Sequence, residues 1–190
     1  VEQGKALAVM GNHEFNAIAY HTTDVHGDYL RQHSAKNTRQ HQAFLDAYPD
    51  ESERGEVITW FKTLPLWLAL DAINVVHACW DEKMMNQLVA SYGSSQLTDE
   101  LLSVASNPNR WEYAAVETLL KGKEVDLPNG KYFADKDGVK RHSIRIRWWD
   151  NVTNYRDAFI GPENALTHIP DDPLDGCLLY TSDAADEADG

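Results

Sequence analysis

The first apolar run of the chain, Ala6-Leu7-Ala8-Val9-Met10, is short and unbroken, which predicts a buried strand. It ends on Gly11, an Asn12-His13-Glu14 triplet follows at once, and Phe15 to Tyr20 reads as the start of a helix. Residues 21–33 are rich in His and Asp and read as a solvated loop. Ser34 is placed to cap a helix through Arg39, His41, Phe44, Leu45 and Tyr48, which Pro49-Asp50 ends. Residues 51–64 read as the next helix. There Val57, Ile58, Trp60, Phe61 and Leu64 fall at i, i+1, i+3, i+4 and i+7, one apolar face. The polar face opposite is acidic, which favours packing on a sheet over lying on a membrane.

Pro65 stops that helix. Residues 66–70 and 73–76 then read as two strands about a tight Asp71-Ala72 turn, delivering His77 to a strand end. Three helices are expected next. One spans Asp81 to Val89, one is capped by Thr98, and one is capped by Asn109, with Glu112 three residues on and Lys121-Gly122 closing it. This helical stretch, 81–122, reads as an insertion that either shapes substrate choice as a cap or serves as scaffold. Asn129-Gly130 and Asp137-Gly138 are hairpin turn signals. Val139 to Trp149 alternates as a strand does, with Ile144, Ile146 and Trp148 on one side and Arg141, Arg145 and Arg147 on the other. Residues 150–176 hold Pro162, Pro170 and Pro173 and read as an irregular connection.

The 190 residues suffice for one α/β domain with a sizeable core, and an apolar content of 43% agrees with a folded chain. No apolar run is long enough to span a bilayer. The net charge of −13 argues against nonspecific nucleic-acid binding, which needs cations for the phosphates. Two cysteines, Cys79 and Cys177, give no disulfide framework, so a reducing, cytoplasmic setting is compatible.

The chemistry suggested by Asn12-His13-Glu14 is that of phosphate esters. A carboxamide oxygen suits a hard divalent cation, a carboxylate can orient an imidazole, and an imidazole can protonate a leaving alkoxide. The alternative is a plain strand-to-helix turn in which Asn12 caps the helix and His13 is a surface residue. The zinc-protease pattern His-Glu-x-x-His is excluded, because Ala17 stands at its fifth position. In the last strand, Arg147 beside the Trp pair is the choice for a bidentate phosphate contact, and a solvated face with ordinary salt bridges is the alternative.

Gly11-Asn12-His13-Glu14 resembles the central motif of the calcineurin-like metallophosphoesterases, which include the Ser/Thr protein phosphatases and the symmetrical diadenosine-tetraphosphate hydrolases. Ile73-Asn74-Val75-Val76-His77-Ala78 resembles that family's strand ending in Val-x-His-(Ala/Gly), and the spacing is most similar to a bacterial subgroup. The resemblance covers roughly residues 1–176. It implies a sandwich of two central β-sheets flanked by helices, and a phosphoprotein or nucleotide-type phosphoester as substrate. It also implies a pair of divalent ions (Mn, Fe, Zn or Mg type) roughly 3.5–4 Å apart, with a metal-bound hydroxide as nucleophile. On it, Asn12 and His77 are ligands of one metal and His13 is the general acid.

The departures are as informative. The family's Asp-x-His and Gly-Asp-x-x-Asp-Arg motifs do not precede Gly11, and its later Gly-His is not found. The expectation is therefore an internal piece of such an enzyme, truncated at both ends and inactive as it stands. Asp24-Val25-His26-Gly27-Asp28 spells Asp-x-His-Gly, but it follows the central motif and reads as loop. Residues 177–190 break in character and resemble translated sequencing adapter, a real acidic terminus being the alternative. A non-catalytic phosphate-binding or scaffold domain on the same fold is the rival to the enzyme.

Overall fold

A computed structural model describes residues 4–135 and 138–174. The chain is mixed α/β and divides into two compact units, Val1–Lys121 and Gly122–Gly190. The expected domain end at 176 and the tail 177–190 lie outside the described residues.

In the first unit, α1 spans Asn12–His21, α2 Ala35–Ala47 and α3 Glu51–Lys62. Strands β1 (Trp67–Ala69) and β2 (Asn74–Val76) follow, then α4 (Glu82–Tyr92), α5 (Asp99–Ala105) and α6 (Trp111–Lys121). Local chemistry sets most of these boundaries. Side-chain oxygens of Ser34, Asp50, Asp81 and Thr98 accept from the orphan amides of the first turns of α2, α3, α4 and α5. Gly93 ends α4 in the left-handed region, at φ 81°, where a Cβ would be strained. The β1–β2 hairpin forms in the expected register, Trp67 opposite Val76, and Leu70 and Ile73 exchange backbone hydrogen bonds across the turn.

Three expectations change here. Residues 6–10 run into Met10 without joining a ladder. Met10 is fully buried and its N–H donates to Pro65 O at 2.8 Å, while Leu7 is 67% exposed. Apolarity alone does not make a strand, because a strand also needs a partner along its length. Second, α1 begins at Asn12, so the Asn-His-Glu triplet is a first helical turn and Gly11, not Asn12, is the N-cap residue. Third, α6 starts one residue later than a cap at Asn109 requires. Asn107 Oδ1 instead accepts from Asn109 N at 3.0 Å, and the helix starts at Trp111.

Helices α4, α5 and α6 supply much of the first unit's core. Met85, Leu88, Leu101, Leu102, Leu119 and Leu120 share one buried cluster with Met10, Phe15 and Ile18. The stretch expected to be a cap or scaffold thus shares a core with α1, which packs most closely on α3.

Glu112 was expected near a capping box and instead turns inward, 2% exposed. Its Oε1 accepts from Tyr92 Oη at 2.9 Å, and Arg110 reaches both carboxylate oxygens at 3.1 and 3.2 Å. Burial pushes this carboxyl up, but the hydrogen bonds from Arg110, the backbone and Tyr92 outweigh it and hold it below its ordinary value. A carboxylate depressed in this way stabilises the fold above the ordinary carboxylate range, and loses that contribution as pH falls through its lowered value. Arg110→Ala should lower stability in urea unfolding at pH 7 by more than an exposed pair would, because it strips a buried carboxylate of a charged partner. The exposed Lys62–Asp99 pair is the contrast, and Lys62→Ala should cost under about 1 kcal/mol. Equal costs at pH 7 would refute the burial argument.

The second unit contains a three-stranded antiparallel sheet, β3 (Glu124–Asp126), β6 (Ser143–Ile146) and β7 (Phe159–Ile160), with β6 central. A separate two-stranded ladder joins β4 (Phe133–Ala134) to β5 (Lys140–Arg141). Helix α7 (Tyr155–Ala158) precedes β7. The expected strand 139–149 is broken at His142 and stops at Ile146, where Trp148 N–H donates to Ile146 O. Its alternation holds within β6: Ile144 and Ile146 are buried, Arg145 is exposed. Asn129-Gly130 makes a turn, with φ of 55° and 68°, but joins no paired strands, since β3 pairs with β6. The other hairpin turn keeps Gly138 at φ 75°; Asp137 lies outside the described residues.

Candidate active site

The first turn of α1 and the end of β2 converge. His77 Nε2 lies 3.2 Å from Asn12 Oδ1, across 65 residues of sequence. The oxygen can only accept, so Nε2 carries the proton in this contact. Because Gly11 is the N-cap residue, the Asn12 carboxamide is released from capping and free for His77.

Two devices hold the pair. Ala78 N–H donates at 3.0 Å to Leu119 O, a carbonyl in the last turn of α6 with no further turn to bond. That bond fixes the bend just after β2 on which His77 stands. On the other side, Glu14 Oε2 accepts from Gly11 N at 3.0 Å, so the carboxylate closes the helix start and is not positioned as an orienter of His13. A Cβ on Gly11 would lie 2.5 Å from that Oε2 and 3.0 Å from His77 Cε1. Gly11 is therefore required for close approach, and its φ of −104° places no demand on glycine.

His13 stands on the same first turn and is exposed. The site thus offers an amide oxygen and an imidazole nitrogen at one point, with a second imidazole one residue away along the helix. Among the described residues no group of three or more His, Cys, Asp or Glu side chains is placed to share a metal ion.

Arg147 belongs to the second unit. It is exposed, its N–H donates to Ala158 O at 2.8 Å, and its guanidinium makes no ion pair among the described residues. Its two neighbours in the row behave as ordinary surface cations: Arg141 pairs with Asp135 at 2.7 Å and Arg145 approaches Glu124 at 3.5 Å. A cleft of about 430 Å³ in that unit is lined by Lys140, Arg141, His142 and Arg145 against Glu124 and Asp135, and Arg147 is not part of its wall.

The Asp24–Asp28 segment is a loop, as its sequence suggested. Asp24 Oδ1 accepts from His26 N and Asp28 N at 2.8 and 3.0 Å, and these bonds hold its carboxyl below the ordinary value. His41, read only as a helix position, proves to be buried and in contact with His21, with their Nε2 atoms 3.1 Å apart. Its place three residues before Phe44 and seven before Tyr48 is the sequence signal for an inward face.

Among the described residues no helix is long and apolar enough to cross a membrane. No family model, curated protein or solved structure matches the chain.

Proposed function

We propose that Gly11–Glu14 and His77 form part of the active site of a metal-dependent phosphoesterase of the calcineurin-like sandwich type, acting on a phosphoprotein or a nucleotide-type phosphoester. The observation that supports it is the 3.2 Å approach of Asn12 Oδ1 to His77 Nε2 beside an exposed His13. A neutral hard oxygen and a borderline imidazole nitrogen fit a divalent cation of the Mn, Fe, Zn or Mg type. Ligation by Nε2 requires its proton to move to Nδ1, so metal competes with the hydrogen bond to Asn12. Two donors do not fill a coordination sphere, and the reading requires the Asp-x-His, Gly-Asp-x-x-Asp-Arg and Gly-His residues in contiguous sequence. When bound, the metal pair supplies Lewis-acid stabilisation of phosphoryl charge and activates the attacking water.

Within that scheme each residue has one task. Asn12 and His77 hold one ion. His13 carries the proton delivered to the leaving oxygen. Glu14 and Gly11 set the turn that presents both. The substrate, on this reading, brings its own negative charge to a chain of net charge −13, so local cations must outweigh the global field.

The rival reading is a phosphate-binding or scaffold domain without turnover, although Arg141 and Arg145 of the second-unit cleft already pair with Asp135 and Glu124. The experiment that separates them is hydrolysis of an aryl phosphate by a chain that also carries the Asp-x-His, Gly-Asp-x-x-Asp-Arg and Gly-His motifs, with Mn²⁺ and other divalent ions. Metal-dependent turnover is expected. Phosphate binding with no turnover under any metal would leave the rival.

A further inference from the structure

Helix α2 is held to its unit by a titratable contact. Over its 13 residues the single buried side chain is His41, and Phe44 and Leu45 are only half-buried. Phe44 also packs against the core cluster, 5.8 Å from the Phe61 ring, so its apolar contact and the imidazole contact share the attachment. His41 meets α1 through His21, Nε2 to Nε2 at 3.1 Å, and its ring packs 4.6 Å from Tyr20 and 4.8 Å from Phe44. The Tyr20 and Thr38 hydroxyls add a second α1–α2 bond at 2.9 Å.

An imidazole pair in N···N contact works with one proton fewer than it can carry. One nitrogen donates and the other accepts. When both rings are protonated, two N–H groups face each other with no acceptor between them, and two charges meet across a half-buried seam.

The surroundings make that second proton harder to hold. On the loop before α2, Arg31 donates to Asn16 Oδ1 and Gln40 Oε1, both neutral, and feels Glu117 and Tyr113 of α6 only at longer range. From α3, Arg54 donates to the carbonyls of Tyr48 and Pro49, again neutral. His33 stacks on Tyr20 at 3.7 Å and bonds to Tyr20 O. Glu51 of α3 favours charge on His21. The loop itself is tied to α1 by backbone bonds, Leu30 N to Thr22 O and Arg31 N to Ala19 O, and does not depend on the imidazole pair.

We propose that the His21–His41 contact is an acid-sensitive latch: one shared proton keeps α2 docked on α1, and double protonation releases α2 while the rest of the first unit stays folded. Burial lowers both imidazoles, His41 to about 4 from 6.5, with His21, Arg31, His33 and Arg54 adding to it. The sign follows. A histidine depressed in the docked state takes up protons on release, so docking is strongest above about pH 6.5. It weakens as pH falls toward 4.

The test is hydrogen exchange of the full chain between pH 7.5 and 4, corrected for the intrinsic rate. Amides of residues 35–47 should lose protection on the order of tenfold or more below pH 5, while those of 111–121 keep theirs. His41→Leu should make α2 protection independent of pH over this range. His21→Leu should weaken the pH dependence and move its midpoint without abolishing it, because His41 stays buried, and this keeps the test usable if one variant fails to fold. Protection of α2 that is flat with pH in the unaltered chain overturns the latch. So does simultaneous loss in α2 and α6, or an unchanged midpoint in both variants.

Discussion

On the proposed reading, replacing His13 by alanine is expected to lower turnover by about 10²–10⁴-fold in a chain that carries the Asp-x-His, Gly-Asp-x-x-Asp-Arg and Gly-His motifs, with little change in KM. His13 is exposed on the first turn of α1, so the fold should lose less than about 0.5 kcal/mol. The loss should depend on the leaving group. A proton donor matters most for a poor leaving group, so an alkyl phosphate should suffer more than a nitrophenyl phosphate. Rates with both substrates, together with a thermal melt, check this. An equal loss for both substrates would assign His13 to charge stabilisation rather than proton donation, and no loss would remove it from the site.

Gly11→Ala is the second large effect, and it acts by crowding. The new methyl would stand 2.5 Å from Glu14 Oε2, 3.0 Å from His77 Cε1 and 3.1 Å from His77 Nδ1. Glu14 can swing away only by surrendering its bond to Gly11 N–H, and the His77 ring then still meets the methyl. Displacing His77 by about 1 Å from Asn12 should reduce turnover about 10²-fold. Losing the Glu14 contact at the helix start should cost about 1 kcal/mol of stability. Gly55→Ala is the control. Nothing lies within 4 Å of the added atom and the site is in the middle of α3, so it should stabilise by about 0.5–1 kcal/mol and leave activity unchanged. If Gly11→Ala retains full activity, the packing of His77 over Gly11 has no part in the mechanism.

The features that were legible in the sequence are those decided within a few residues. Ser34 and Thr98 cap their helices because a side-chain oxygen two or three residues from an amide needs nothing distant. The β1–β2 hairpin follows from its own short turn. What was hidden depends on distant partners. Ala6–Met10 has the apolarity of a strand, but the single bond to Pro65 O comes from a residue far along the chain. Asn109 has the character of a cap, yet Asn107 organises the turn first and Glu112 leaves the helix surface to meet Tyr92 on α4. The Asn12–His77 approach was anticipated only through the resemblance of two motifs, since nothing local links residues 65 apart. The His21–His41 contact was not anticipated, because two histidines on separate helices give no signal of their meeting until the helices are packed.

The central claim is that Asn12 and His77 hold the same ion. It is tested most directly by metal content per chain, measured by elemental analysis after Mn²⁺ loading and desalting of a chain that also carries the Asp-x-His, Gly-Asp-x-x-Asp-Arg and Gly-His motifs and of its Asn12→Ala and His77→Ala variants. Two ions in the unaltered protein are predicted, with loss of one ion in either variant and no further loss in the double variant. Metal content unchanged by both substitutions would contradict the account.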